Sequence, residues 1–439
     1  MAKNTKKHNT NIKKTILVKK FGGTSLGNKQ RIHATANIIK HFYHTSNDGL
    51  CIVVSAMAKE TDRLVSLVAD ILEHDKFFHR TREYDAVVAS GENVSAGLLA
   101  LALNHIGIKA KSWQGFQIPI ETDDQHGMAR ITSINITAIK KSILNGEVAV
   151  ITGFQGINHQ GSITTLGRGG SDTSAVAMAV ALGARRCDIY TDVDGVYRID
   201  PKWLMAAKKI PAIAYEEMLE MASLGSGVLH ARSVELAMKC KMPLQVLSSF
   251  VEPKNPNAKK NGTMVLDEKS ITKNMKNNIE EKLITAVAVD NQEAKVTIYK
   301  IKNQPGMAAI IFGLLADANI NVDMIIQSGS HHERGDEFSD ITFTLPRQEL
   351  AHGVKVLEQN QTAIGYEDIL ADADVAKISI IGVGMRSSPG VAKTMFATLA
   401  SADINIEAIA TSEIKISVLV KESHAPRAAK LLHKAFHLG

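Results

Sequence analysis

Apolar runs that break into small residues set the rhythm of the first 250 residues. TILVKKFGG, GLCIVVSAM and EVAVITGFQG each carry an apolar stretch into glycine, alanine or serine, the pattern of parallel strands buried on both faces. Between them, RIHATANIIKHFYH and NVSAGLLALALNHIG show helical spacing, and the second runs out at Gly107, a natural C-terminal cap. Strands alternating with helices predict an α/β architecture, a sheet with helices packed on it. From residue 252 to 282 the texture turns polar, broken by Pro, Gly and Asn around the short apolar run TMVL, and a domain boundary is expected near residue 275.

Beyond that boundary the pattern repeats itself. VTIYKIKNQPGMAAIIFGLLADANINVDMI and ISIIGVGMRSSPGVAKTMFATLASADINIEAI share a strand, Pro-Gly, an amphipathic helix, then Asn with alternating apolar residues. Pro305 matches Pro389 and Asn321 matches Asn405 at the same offset of 84. With DITFTLPR and IKISVLVKE as further strands, each copy predicts a βαββαβ, ferredoxin-like unit. The Pro-Gly junction is either a plain tight turn or one that leaves helix-start N–H groups free for a carboxylate.

At 439 residues the chain exceeds one ordinary core, so two or three domains are expected. A hydrophobic share of 45% and a charged share of 22% belong to a globular chain that folds in water. The net charge of +6 is partly concentrated in MAKNTKKHNTNIKKTILVKK, and aromatics make up only 5%, so nucleic acid is not an expected partner. That basic arm, residues 1–14, has no apolar core or cleavage site, and no uninterrupted apolar run of membrane-spanning length follows. A cytoplasmic protein without a membrane partner is expected. Cys51, Cys187 and Cys240 form no CxxC pair and the histidines lack ligand spacing, so no protein-bound metal is expected.

Three clusters carry candidate chemistry. In Lys20-Phe-Gly-Gly-Thr-Ser25, Gly22 and Gly23 let a backbone approach a phosphate while Lys20 supplies a cation. The spacing is not that of a P-loop. In Thr165-Leu-Gly-Arg-Gly-Gly-Ser-Asp-Thr-Ser174 a glycine-rich loop opens an Ala-rich helix, and Arg168 offers a bidentate fork to a carboxylate, with charge-assisted bonds of about 1.5 to 3 kcal/mol each. Equally, Ser171 or Asp172 can be a helix cap. Glu92, in Ser-Gly-Glu-Asn-Val-Ser95, is either a favourable helix-start charge or a partner for an ammonium group. The third cluster, IYTDVDGVYRIDPK, is an acidic turn that can flank a nucleotide or be an ordinary Asp-Gly turn.

KFGGTS, VSAMAKETD, SGENVS, TGFQGIN, TTLGRGGSDTSA, YTDVDGVYRIDPK and the paired C-terminal repeats together resemble the aspartokinases of the amino acid kinase superfamily, from about Thr15 onward. The resemblance implies a three-layer αβα kinase domain over 15–275 with a mainly parallel sheet, then ACT domains over 283–362 and 363–439. It implies Lys20 and Asp172 as catalytic residues, and Ser55, Thr61, Glu92, Arg168, Gly169, Gly170 and Ser171 around L-aspartate. ATP would lie along Lys20, Phe21, Gly22, Gly23, Tyr190, Thr191, Val196, Tyr197, Arg198, Asp200, Pro201 and Lys202, with Mg2+ carried on its phosphates. An allosteric lysine or threonine would meet Asn303, Gln304, Pro305, Gly306, Met307, Ala308, Asn321, Val322, Asp323 and Gln327 in the first repeat. In the second it would meet Val391, Ala392, Asn405, Ile406, Ser412 and Glu413. A homo-oligomer through the ACT units is also implied. Two residues depart from the family pattern: Ala58 stands for the glycine of SAMG, and Gly227 stands where many relatives have lysine. A kinase for a different amino acid, or a catalytically silent sensor, are the alternatives.

Overall fold

The strand Ile16–Phe21, buried along its length, pairs in parallel with Gly49–Val54 on one side and Cys187–Thr191 on the other. The computed structural model describes residues 15–72, 80–225, 227–251, 262–274, 284–331, 337–387 and 389–439; the basic arm and the boundary stretch 275–283 lie outside them. Around the central trio an eight-stranded sheet runs in the order Ala212–Ala214, Thr263–Leu266, Leu244–Ser248, Cys187–Thr191, Ile16–Phe21, Gly49–Val54, Val148–Thr152, Ala110–Trp113. Of its pairings, only Leu244–Ser248 with Thr263–Leu266 is antiparallel. The order reverses at Ile16–Phe21, and in open α/β sheets the crevice beyond the carboxyl ends of the strands at such a point is where ligands sit.

Helices cover this sheet. Lys29–Thr45 and Ser90–His105 bury Ile38, Ile39, Leu99 and Leu103 against Leu17, Leu50 and Ile52. The stretch Arg82–His105 is long and apolar enough to cross a membrane by length and composition alone, but more than half of its most apolar window is buried inside the protein. A smaller four-stranded sheet, Ile131–Ile134, Ile120–Thr122, Gln155–Ile157 and Ile163–Thr165, leads into the glycine-rich loop.

The chain divides into two units. The first holds Met1–Val196, Lys209–Ala222 and Gly227–Lys276; the second holds Tyr197–Lys208, Ser223–Ser226 and Asn277–Gly439. In the second unit both predicted repeats form four-stranded antiparallel sheets backed by helices. Their helices Met307–Asp317 and Val391–Ala400 start from glycines in the left-handed region, Gly306 at φ 98° and Gly390 at φ 103°. Asn319 and Asp403, again 84 apart, take φ 58° and 56° just after those helices. The repeat is thus written into the backbone as well as the sequence.

The division between the repeats differs from the sequence expectation. Ala286–Asp290, expected in the first ACT unit, pairs antiparallel with Val375–Ile381 of the second repeat's sheet. Asp368–Asp372, expected in the second, pairs with Glu293–Lys302 of the first. Packing decides this: Ile284 and Val287 are buried in one core with Ile378, Ile380 and Leu432. One repeat is therefore inserted after the first strand of the other.

Candidate active site

The ends of the central strands and the starts of two helices, Ser90–His105 and Gly170–Leu182, carry the candidate residues. Successive residues of a strand face opposite sides, and Lys19 and Lys20 divide accordingly. Lys19 is fully buried, 2.6 Å from Asp188 and stacked over Phe42. Lys20 faces the glycine-rich loop, its ammonium 2.7 Å from Asp172 Oδ1 with both side chains 12% exposed. That contact is an ion pair without hydrogen-bond alignment, since Asp172 Oδ1 has no directed partner. After Lys20 the chain turns through Gly22, whose amide donates to Tyr190 O at 3.1 Å. A Cβ on Gly22 would come 3.4 Å from the Lys20 nitrogen.

From Gly49–Val54 the chain passes to Ser55, whose amide donates to Phe21 O, and to Ala56, whose amide donates to Glu92 Oε1 at 2.9 Å. Glu92 is 2% exposed, and its other oxygen is buried with no hydrogen-bond partner. Burial pushes its pKa up to about 7, against the pull of the Ala56 amide and of Lys20. An orphaned carboxylate oxygen near a cation-bearing crevice is chemically a seat for an ammonium group. Thr61 lies in the first turn of Glu60–Leu72.

The glycine-rich loop enters the helix Gly170–Leu182 through Gly169 at φ 71°. A Cβ there would lie 2.1 Å from Cγ of His230, so only glycine lets the loop rest on that ring. Ser171 and Asp172 are buried at the helix start, while the Arg168 side chain is exposed and forms no ion pair among the described residues. His230 is a site neighbour that sequence reasoning passed over. Its pKa is lowered by burial and by Arg168 against the pull of Asp172, and its buried Nδ1 has no partner. Nothing in GSGVLHAR marks it, because its contact is with a residue 61 positions away.

The residues expected along the nucleotide separate. Phe21 and Tyr190 stack on each other in the core, ring centroids 4.6 Å apart, and Val196 is fully buried, so these three offer main chain rather than side chains. Thr191 is half-buried at its strand end and bonds Asp192. Tyr197, Arg198, Asp200, Pro201 and Lys202 belong to the second unit, where Arg198 donates to Thr285 O at 3.1 Å and Ile199 enters the core.

Within that unit, Val391, Ala392, Ser412 and Glu413 line one open depression of about 530 Å3, together with Pro389, Gly390 and Thr411. Asn405 is exposed and Ile406 packs on the core. In the other repeat, Asn303, Gln304, Pro305, Gly306, Ala308 and Asn321 are exposed, whereas Met307 and Val322 turn into the core. Asp323 is bound to Lys377 and Gln327 to Ser339.

The chain is similar to known proteins over nearly its whole length. The amino acid kinase family pattern matches residues 15–248, and the ACT domain pattern matches 299–361 and 378–436. An aspartate kinase of Pseudomonas fluorescens is 45% identical over 424 residues, covering 96% of this chain and 98% of that protein. An aspartokinase of Corynebacterium glutamicum is 40% identical over 425 residues, covering 97% and 96%. Among solved structures, E. coli aspartokinase III in complex with aspartate and ADP aligns with a TM-score of 0.71 at 27% identity, covering 96% of this chain and 99% of that one. The same enzyme in complex with lysine and aspartate aligns at 0.70. With its kinase fold, its paired ACT units and relatives of this identity over nearly its whole length, the chain belongs to the aspartate kinases of the amino acid kinase family.

Proposed function

We propose that the protein transfers the γ-phosphoryl group of ATP to the β-carboxylate of L-aspartate, yielding 4-phospho-L-aspartate and ADP. The observation that carries this reading is the presence in one crevice of the Lys20–Asp172 pair and the partnerless oxygen of buried Glu92. Glu92 takes the α-ammonium of aspartate and Arg168 its α-carboxylate, which leaves the β-carboxylate free to attack. A carboxylate is already a nucleophile at neutral pH, so no general base is needed, and the residues act by positioning and charge neutralisation. Lys20 meets the negative charge that moves onto the transferring oxygens, and Asp172 holds its ammonium in place. Gly22 and Gly23 let the main chain come close to the phosphates.

The donors present suit a Mg2+ ion carried in on the nucleotide, because Asp172 is tied to Lys20 and Glu92 to the Ala56 amide. Such an ion would enter with the nucleotide and would supply charge neutralisation of its phosphates. Lysine, threonine or both act as feedback inhibitors through the ACT units; the lysine complex of the E. coli relative supports the part of this that concerns lysine. The reaction opens lysine, threonine and methionine synthesis in the cytoplasm, in a homo-oligomer joined through the ACT units.

The test is chemical. Purified protein with Mg2+-ATP, L-aspartate and hydroxylamine should yield aspartyl hydroxamate in step with ADP, and Lys20→Ala should abolish both. Hydroxamate from glutamate instead of aspartate would move the reading to another amino acid kinase; inhibitor binding without any hydroxamate would make it a silent sensor.

A further inference from the structure

Arg168 is exposed, yet the two residues before its glycine are held from both sides. Thr165 Oγ1 donates to Asp85 Oδ1. Asp85 lies in the helix Arg82–Val88, has no solvent exposure, and also accepts from His126 Nδ1 at 2.6 Å and from the Gly127 amide at 3.1 and 3.2 Å. Opposite it, Arg232 donates to Leu166 O and Ala129 O, both at 2.7 Å. The Ala129 amide donates to Thr165 O at 2.9 Å, closing the ring. Gly127 O lies 3.0 Å from where a Cβ on Gly167 would stand, so the turn at 126–129 underlies the loop.

Gly167 and Gly169 flank Arg168 at φ 76° and 71°. Backbone in that region reverses within a residue, so the direction of Arg168 follows from how Thr165 and Leu166 are fixed. Burying a carboxylate costs several kcal/mol unless donors surround it, and here those donors all belong to the loop or to the turn beneath it. We infer that Asp85 and Arg232 are positioning residues that aim Arg168 at the α-carboxylate of the amino-acid substrate; this rests on the role given to Arg168 above.

Arg168 grips a carboxylate present in both ground and transition states, so a slackened clamp weakens substrate binding more than turnover. Thr165→Val keeps the shape and removes the hydroxyl; Thr165→Ser restores the donor. Hydroxamate kinetics should show the aspartate KM rising roughly tenfold to a hundredfold in Thr165→Val and Asp85→Asn. The ATP KM and kcat should stay within about twofold, and Thr165→Ser should return the aspartate KM toward its starting value. Arg232→Met should behave as Thr165→Val does. An aspartate KM unmoved in the folded Thr165→Val protein, or a fall in kcat with both KM values unchanged, overturns the clamp while leaving the kinase reading intact. No hydroxamate from the unaltered protein overturns the kinase reading and this inference with it.

Discussion

Glu92, proposed above to take the substrate's ammonium, is a carboxyl whose burial costs the fold. Its ordinary value of 4.5 rises to about 7, chiefly through burial. A raised carboxyl pKa means that folding favours the protonated form, so its contribution is whole below 4.5 and is lost as pH climbs through 7. The gap corresponds to about 3 kcal/mol. Glu92→Gln keeps the shape without the charge, so its stability should lack that pH slope and exceed that of the unaltered protein at pH 8. Its aspartate KM should rise about 10- to 100-fold through loss of a charge-assisted bond to the ammonium. Denaturant titrations from pH 5 to 8 check the first part; parallel pH slopes for the two proteins would refute it. Lys19 and Lys20 give the same lesson from sequence. Strand alternation says that adjacent lysines part, and the glycines after Lys20 favour it as the one at the crevice. The motif does not reveal that Lys19 is consumed by Asp188 in the core, because that partner lies 169 residues on.

At the scale of elements, the glycine-rich loop and its helix were legible because they are local. Glycines followed by Ser171, Asp172 and an Ala-rich segment read as a turn into a helix. What that turn rests on was not legible, since His230 approaches from the cap before another helix, Ala231–Cys240. Gly169→Ala should place a methyl against the imidazole in a backbone region costing about 1–2 kcal/mol for any other L residue. We expect aspartate turnover to fall on the order of a hundredfold, with a lower Tm. Adding His230→Ala should recover part of both, and failure of the double variant to recover either would mean the contact is not the cause. Ala58, by contrast, does not take a positive φ, so the glycine of the family pattern is not needed there for backbone reasons. The repeat was equally legible, through Pro305 and Pro389, but the exchange of edge strands was not. Ala286–Asp290 and Asp368–Asp372 are five-residue strands whose sequences, AVAVD and DILAD, carry no alternation that assigns them to one sheet, and the burial of Ile284 and Val287 beside Ile378 selects the pairing.

The feedback control proposed above depends on whether the two repeats respond as one body. A bound amino acid changes activity only through unequal affinity for two arrangements, so the ties between the sheets of the second unit matter. Lys377, 2% exposed in the second repeat's central strand, reaches across to Glu293 and Asp323 of the first at 2.9 Å each. Burial opposes its charge, but the two carboxylates more than offset this and its pKa lies above the ordinary value. Lys295 pairs with Glu407 in the reverse direction, and Met324 packs with Ala408 and Leu419. Lys377→Met leaves Asp290, Glu293 and Asp323 facing one another without their cation, a loss of about 3–5 kcal/mol by analogy with broken buried pairs. The first unit, which holds Lys20, Glu92, Arg168 and Asp172, is left untouched by the substitution. Uninhibited turnover should therefore stay within about twofold, while the lysine or threonine concentration giving half inhibition should rise at least about tenfold, the size of an ordinary coupling free energy. Ser379→Ala, which breaks only a bond to Ser417 within one sheet, should leave inhibition unchanged. If Lys377→Met inhibits at the original concentration, the tie between the sheets does not carry the signal; if Ser379→Ala shifts as far as Lys377→Met, the effect is loss of stability and not of coupling.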